Sequence, residues 1–110
     1  MRTFHSTMLV ALFLAGLSGN ARADGAEMYR TRCASCHGKD GTADTTMGRK
    51  LNMRDLTDPK VQNGSSDKQW TRIIVDGVRG AGGKNVMPAT KGTAEEVKDV
   101  IKFIRTFKKK

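Results

Sequence analysis

The amino-acid sequence predicts a small all-α domain, and three observations support this prediction. Apolar residues recur at helical intervals in three separate segments of the chain. Two of these segments follow a Ser or Thr that has Gln or Glu three residues later, which is the pattern of a helix capping box. Glycine-rich stretches separate the segments, and no part of the chain shows a convincing strand pattern.

The first 23 residues have the pattern of a cleavable secretory signal. A short basic start precedes the apolar run at residues 8–17, and Ala21-Arg22-Ala23 then matches a small-x-small cleavage site. The run is well short of the roughly 20 residues that span a bilayer, so an uncleaved anchor is the weaker interpretation. Cleavage after Ala23 leaves residues 24–110 as one domain of 87 residues without a transmembrane segment.

The first predicted helix runs from about Gly25 to Cys36 and has Asp24 as its N-cap. Its helical spacing rests on Met28, Tyr29, Arg32 and Cys33. The sequence after this helix is rich in turn-forming residues and predicts a long loop. Within that loop Asp58-Pro59 interrupts the chain, and we expect Pro59 to stiffen the backbone.

Two further helices are predicted to start at the capping boxes. Ser66 begins the second helix, which stops at Gly77, and Thr93 begins the third. Glutamates in the first turn of the third helix and lysines after its end suit the helix dipole. The apolar stripe of the second helix is Trp70, Ile73 and Ile74; that of the third is Val97, Val100, Ile101, Ile104 and Phe107, with Phe103 beside it.

Cys33-Ala34-Ser35-Cys36-His37 is the most specific motif of the chain, because it has the spacing that attaches a c-type haem covalently. On a helical turn the three reactive side chains share one face. The two thiols can then bond the haem vinyl groups while the imidazole reaches the iron. A redox dithiol expects a preceding strand, and none is predicted. A zinc site needs four ligands, and residues 24–110 offer no second Cys or His cluster. A structural disulfide is a further alternative.

The second axial position of the iron has several candidates, namely Met28, Met47, Met53, Met87 and the lysines. Met28 is too close to Cys33 along the first helix to reach the other face of a haem. Met47 and Met53 lie in the loop after the motif, where methionines more often line an apolar pocket. Met87 follows His37 by 50 positions, and Pro88 favours an extended backbone there. We therefore expect His37 and Met87 to be the metal ligands, a pair that suits electron transfer.

The chain resembles the small class I cytochromes c of bacteria over nearly all of residues 24–110. The resemblance rests on the attachment motif with Gly38, the Gly25 and Tyr29 pair, the Phe103-Ile104 step, and Val86-Met87-Pro88-Ala89 as a distal-ligand loop. It implies a cytochrome c fold, with three to five helices wrapped around one covalently attached haem. It also implies that the first and last helices cross near Gly25, where the missing side chain lets Phe103 approach closely.

The resemblance also implies roles for residues near the haem. Trp70 is expected to bind the cofactor by donating its indole N–H to a haem propionate, and Arg54 or Arg72 to pair with a propionate. In the alternative interpretation Trp70 anchors the core and the arginines are solvated. We expect the haem edge to be lined by Leu51, Leu56, Ile73 and Ile74.

The predicted function is periplasmic single-electron transfer by one haem c bound through Cys33 and Cys36. No constellation of catalytic acid, base or nucleophile is visible, so the chain is predicted not to be an enzyme. One alternative is a haem enzyme or gas sensor with an open or labile distal site. Another is a dedicated electron-transfer subunit of a dehydrogenase complex.

The charge of the chain predicts the chemistry of its partners. The formal net charge is +9, and about +7 remains after loss of the two arginines in the signal segment. A basic surface favours redox proteins with acidic docking surfaces. We expect Lys39, Lys50, Lys84 and Lys91 to surround the exposed haem edge. No motif for base stacking or groove recognition is present, so nucleic acid is not an expected partner. The chain is also predicted to be a monomer.

Overall fold

The computed structural model describes residues 21–83 and 85–108. Over these residues the chain forms six α-helices: α1 (Ala21–Arg32), α2 (Ala34–His37), α3 (Thr46–Lys50), α4 (Pro59–Gly64), α5 (Asp67–Asp76) and α6 (Ala94–Arg105). Two short strands, β1 (Val78–Arg79) and β2 (Asn85–Met87), pair in antiparallel fashion. The all-α prediction is confirmed. Residues 1–20, which include most of the predicted signal segment, lie outside the described residues, as do three lysines, Lys84, Lys109 and Lys110.

The helix count exceeds the expected three to five because the first predicted helix is divided at Cys33. α1 ends one residue before Cys33 and α2 begins one residue after it. The backbone hydrogen bonds nevertheless continue through this point. The Cys33 N–H donates to Tyr29 O at 2.8 Å, and the His37 N–H donates to Cys33 O at 2.9 Å. The motif therefore keeps a helical hydrogen-bond pattern across the break at Cys33.

The middle of the chain is more helical than the sequence predicted, since α3 and α4 occupy the expected loop. Pro59 is the first residue of α4 rather than a loop stiffener, so that prediction was wrong. Its fixed φ suits the first helical position, where no backbone N–H is needed. The Asp58 side chain caps this helix by accepting the Lys60 N–H at 2.9 Å. The Thr45 hydroxyl caps α3 in the same way through the Gly48 N–H at 2.8 Å.

The capping boxes predicted for the second and third helices are confirmed at the start of α5 and α6. In the first box the Gln69 N–H donates to Ser66 Oγ at 3.1 Å, and the Ser66 N–H donates to Gln69 Oε1 at 2.8 Å. In the second box Thr93 and Glu96 make the two equivalent bonds, each at 3.2 Å. Gly77 ends α5 as expected.

The core lies where α1 crosses α6. A Cβ added at Gly25 would lie 2.2 Å from the backbone oxygen of Asp99, so the missing side chain admits the α6 backbone itself. The crossing agrees with the expected fold. The prediction that the Phe103 side chain is the close neighbour of Gly25 was wrong. The Phe103 ring packs one turn further along α1, 5.4 Å from the Tyr29 ring centre. The buried apolar cluster is Met28, Tyr29, Trp70, Ile74, Val97, Val100, Ile101 and Ile104.

The strand pair was not predicted from the sequence. Its strands have two and three residues, which is too short for an alternating pattern to be recognised. The pairing places Val78 opposite Met87 and joins the end of α5 to the chain segment before α6. No helix among the described residues is long and apolar enough to cross a membrane.

Candidate functional site

An apolar cavity of about 480 Å³ lies beside the cysteine motif. This volume is within the range of ligand-binding pockets. It is lined by Cys33, His37, Leu51, Asn52, Met53, Arg54, Leu56, Lys60, Val61, Gly64, Ser65, Trp70, Ile73, Ile74, Val78, Val86, Met87 and Ile104. The four residues predicted to line the haem edge are all in this set. The charged members are Arg54 and Lys60.

The attachment motif is held in place by three hydrogen bonds from neighbouring segments. The Tyr29 hydroxyl donates to Gly38 O at 2.6 Å, and the Thr45 hydroxyl donates to Cys36 O at 2.6 Å. The Ala43 N–H donates to His37 O at 2.7 Å. Cys33 and His37 line the cavity, whereas Cys36 is half-buried and is not among the lining residues. These hydrogen bonds thus fix the backbone at His37 and at its two sequence neighbours, Cys36 and Gly38.

Burial keeps the two cavity-lining groups of the motif uncharged. It lowers the pKa of His37, which favours the neutral imidazole that binds a metal. It raises the pKa of Cys33 to about 11, against an opposing effect of the neighbouring Arg32. The Nδ1 atom of His37 is buried and has no hydrogen-bond partner among the described residues.

The β1–β2 pair places Met87 at the cavity. Gly77 lies so close to this segment that an added Cβ would be 2.5 Å from Met87 O, and its φ of +74° also favours glycine. The Thr90 N–H donates to Ile74 O at 2.8 Å, which ties the chain after Met87 to α5. These contacts hold Met87 against the end of a packed helix.

The structure separates the four candidate methionines. Met87 and Met53 both line the cavity. Met28 is buried in the core between α1 and α6, and Met47 lies on α3 with 41% of its surface exposed. Neither Met28 nor Met47 is among the lining residues. The geometry therefore leaves two methionines beside His37 and Cys33.

Trp70 lines the cavity and is also part of the buried core. Its position is therefore compatible both with a bond to a haem propionate and with a role as a core anchor. Arg54 is a lining residue, whereas Arg72 is exposed and is not. Lys60 also lines the cavity and was not predicted. Its position depends on α4, whose signal in the sequence was the Asp58 cap followed by Pro59.

The residues around the cavity fit a c-type haem. Apolar side chains form most of the wall, and the Cys33 thiol and the His37 imidazole belong to residues that line it. The sulfur of Met53 or Met87 would be available as a further iron ligand. The positive charges of Arg54 and Lys60 would suit the two carboxylates of such a group.

The chain is similar to known cytochromes in both sequence and fold. The model of the family described as "Cytochrome C oxidase, cbb3-type, subunit III" matches residues 20–104. A solved structure described as "KustC0563 c-type cytochrome" is 34% identical, with a TM-score of 0.64, and the match covers 78% of this chain and 99% of that chain. A tyrosine-to-phenylalanine mutant of Kustc0563 matches at 32% identity and a TM-score of 0.64, covering 77% of this chain and 99% of that chain. The chain therefore belongs to the cbb3-type subunit III family of cytochromes c and is a small c-type cytochrome.

Proposed function

We propose that the chain is an exported single-electron carrier whose one haem is bound through Cys33 and Cys36 and ligated by His37 and Met87. The observation that supports this most strongly is the cavity, because Cys33, His37 and Met87 all line it although Met87 is distant from the motif in the sequence. Membership of a cytochrome c family supports haem-based electron transfer in general. The proposal extends this to the ligands, the number of haems and the location.

The chain's contribution to electron transfer is to hold two ligands still and to exclude water. When bound, the haem supplies an iron that gains or loses one electron. His37 lies on a helix fixed by hydrogen bonds on both sides, and Met87 lies on a strand tied to α5. Because neither residue has to move, both oxidation states keep the same ligands and little reorganisation is needed. The apolar wall and the axial ligands set the reduction potential.

Arg54 and Lys60 are proposed to face the haem propionates. They are the charged residues among those that line the cavity, and carboxylates are favourable partners for both. Trp70 is the other candidate, since its indole lines the same cavity and its N–H can donate to a carboxylate oxygen. Arg72 is exposed away from the lining and is not proposed for this role.

Substitution of the two cavity methionines tests the ligand assignment. Met87→Ala is expected to abolish the absorption band between sulfur and ferric iron, to lower the reduction potential and to open the iron to carbon monoxide. Met53→Ala is the matched control, because Met53 lines the same cavity, and it is expected to leave the band in place. The assignment is wrong if Met53→Ala removes the band while Met87→Ala retains it.

Export and covalent attachment are tested by mass. The protein recovered from the periplasm of a host that matures c-type haem is expected to be a chain beginning near Asp24 plus the mass of one haem. A mass equal to the bare polypeptide would contradict covalent attachment. A chain that keeps its first 23 residues would contradict cleavage at the predicted site.

A second candidate function is an electron-transfer subunit of a larger redox complex, and the description of the matched family favours it. Purification from the native host without overexpression distinguishes the two. A free carrier is expected to elute alone at the size of a monomer. Constant co-purification with a larger redox enzyme would favour the subunit.

The proposed partner of either form has an acidic docking surface. Lys39, Lys50 and Lys91 are exposed, and Lys39 directly follows the attachment motif. An electrostatic encounter predicts an electron-transfer rate that falls as ionic strength rises. Lys39→Glu is expected to slow transfer to the native partner more than Lys102→Glu, a charge reversal on α6 away from the cavity lining. Equal effects would indicate that the charge serves solubility.

A further inference from the structure

We infer that Arg105 is a positioning residue that holds Trp70 in the cavity wall and raises the reduction potential of the bound haem through its charge. This inference rests on the proposed electron-transfer function. It concerns a residue at the end of α6 that does not itself line the cavity.

The contact between Arg105 and Trp70 is direct. The guanidinium carbon of Arg105 lies 3.7 Å from the centre of the Trp70 ring, which is the geometry of a cation–π interaction. The indole is 9% exposed and lines the cavity. The permanent positive charge of Arg105 therefore lies against Trp70, a side chain that forms part of the cavity wall.

Arg105 is anchored by hydrogen bonds to α4 and α5. Its Nη1 donates to Gln62 O, its Nη2 donates to Ser65 O at 2.8 Å, and its Nε donates to Asp67 Oδ1 at 2.9 Å. The two carbonyls lie at the C-terminal end of α4, where a cation also suits the helix dipole. Only the planar fork of arginine can make these bonds and stack on the indole at once. Arg105 thus holds Trp70 in place through contacts that join α4, α5 and α6.

The ion pair with Asp67 is unequally exposed. The Arg105 side chain is 21% exposed, whereas that of Asp67 is 69% exposed. Solvent therefore screens the negative charge more than the positive charge, and the cavity wall experiences a net positive field. Oxidation of the iron adds a positive charge beside this field. The field disfavours the ferric state and so raises the reduction potential.

Four single variants of the intact, haem-loaded protein test this inference through the reduction potential and the near-ultraviolet circular dichroism of Trp70. Arg105→Gln is expected to lower the potential and to change the dichroism. Asp67→Asn is expected to raise the potential, since it removes the opposing charge. Arg105→Lys keeps the charge and is expected to retain most of the potential while it lowers the melting temperature. Lys102→Gln is the control, an equal loss of charge on an exposed part of α6, and is expected to leave the potential unchanged.

The outcomes separate this inference from the proposed function. If Arg105→Gln carries haem with a normal spectrum but shifts the potential no more than Lys102→Gln does, the inference is wrong and the carrier function stands. If Arg105→Gln does not fold, the Asp67→Asn potential decides, and an unchanged or lowered value overturns the inference. Absence of covalent haem from the wild-type protein would instead contradict the proposed function.

Discussion

Tyr29 links the helical core to the attachment motif through one side chain. Its ring is 2% exposed and packs on Phe103 and Phe107, with ring centres 5.4 and 5.1 Å away. Its hydroxyl donates to Gly38 O, one residue after His37, at 2.6 Å. Burial raises the pKa of Tyr29 well above its ordinary range, so the phenol keeps the proton that this bond requires. A residue on α1 thereby fixes the backbone that follows His37, the proposed iron ligand.

Tyr29→Phe is expected to lower the free energy of unfolding by about 1 kcal/mol, because the Gly38 carbonyl loses its buried donor. Chemical denaturation of the haem-loaded protein measures this change. Tyr29→Leu is expected to be more destabilising, since it also removes the ring contacts with Phe103 and Phe107. Equal stability of wild type and Tyr29→Phe would show that the hydrogen bond contributes nothing measurable.

At the scale of the elements, the crossing of α1 and α6 determines how closely two helices can pack. Gly25 sits against the backbone of Asp99 and Val100, with no space for a side chain between them. Backbone atoms cannot rotate away as a flexible side chain can, so the fit depends on glycine at this position. The buried residues of α6, from Val97 to Ile104, pack beside this contact.

Gly25→Ala is expected to destabilise the protein by about 1–3 kcal/mol, since its methyl group would lie 2.2 Å from Asp99 O and force the helices apart. The melting temperature of the haem-loaded variant measures the effect. Lys102→Ala, at an exposed position of α6 outside the cavity lining, is the control. A melting temperature for Gly25→Ala as high as that of Lys102→Ala would refute the close crossing.

The start of α6 contributes to the acid sensitivity of the fold. The hydrogen bond from the Thr93 N–H lowers the pKa of Glu96 below its ordinary value of 4.5. The pKa is lower in the folded state, so this stabilisation is present above about pH 4.5 and is lost as pH falls through the folded-state pKa. Asp40 acts in the same direction, because hydrogen bonds from the Thr42 hydroxyl and N–H lower its pKa.

Glu96→Gln is expected to flatten the acid-unfolding profile, because the amide can still bond the Thr93 N–H but no longer titrates. Thermal unfolding between pH 6 and pH 3 gives this profile. Glu95→Gln removes a charge from the same turn without touching the capping box and serves as the control. A profile for Glu96→Gln as steep as that for Glu95→Gln would show that the Thr93–Glu96 capping box does not cause the loss of stability at low pH.

At the scale of the whole molecule, the apolar cavity and the core share several side chains. Trp70, Ile74 and Ile104 belong to the buried cluster and also line the cavity. The cavity wall is therefore partly built from the core of the fold. Small domains bury a smaller fraction of their surface, so a bound apolar group that fills this cavity would add to the stability of the fold.

Cys33→Ala combined with Cys36→Ala is expected to leave a largely unfolded chain, because the polypeptide alone must offset roughly 1–2 kcal/mol of backbone entropy per residue. Far-ultraviolet circular dichroism and a thermal scan measure the loss. Ser35→Ala, an exposed position between the two cysteines, is expected to retain haem and fold normally. A cooperative thermal transition in the haem-free double variant would show that the polypeptide folds unaided.

The sequence by itself determined the features that depend on near neighbours. The starts of α5 and α6 were predicted correctly because a capping box joins residues only three apart. The attachment motif was recognisable for the same reason, since its three reactive side chains lie within five residues. Gly77 was also readable as the end of α5. Short helices and strands such as α4 and β1 were missed, because a few residues carry too little periodicity.

The tertiary structure alone decided which distant residues meet. It placed both Met53 and Met87 at the cavity, Lys60 in the cavity lining, and the Asp99 backbone against Gly25. It also brought Arg105 onto Trp70, although 35 residues separate them in the sequence. Such contacts arise from the packing of several helices at once. The identity of either residue, or of its sequence neighbours, does not specify them.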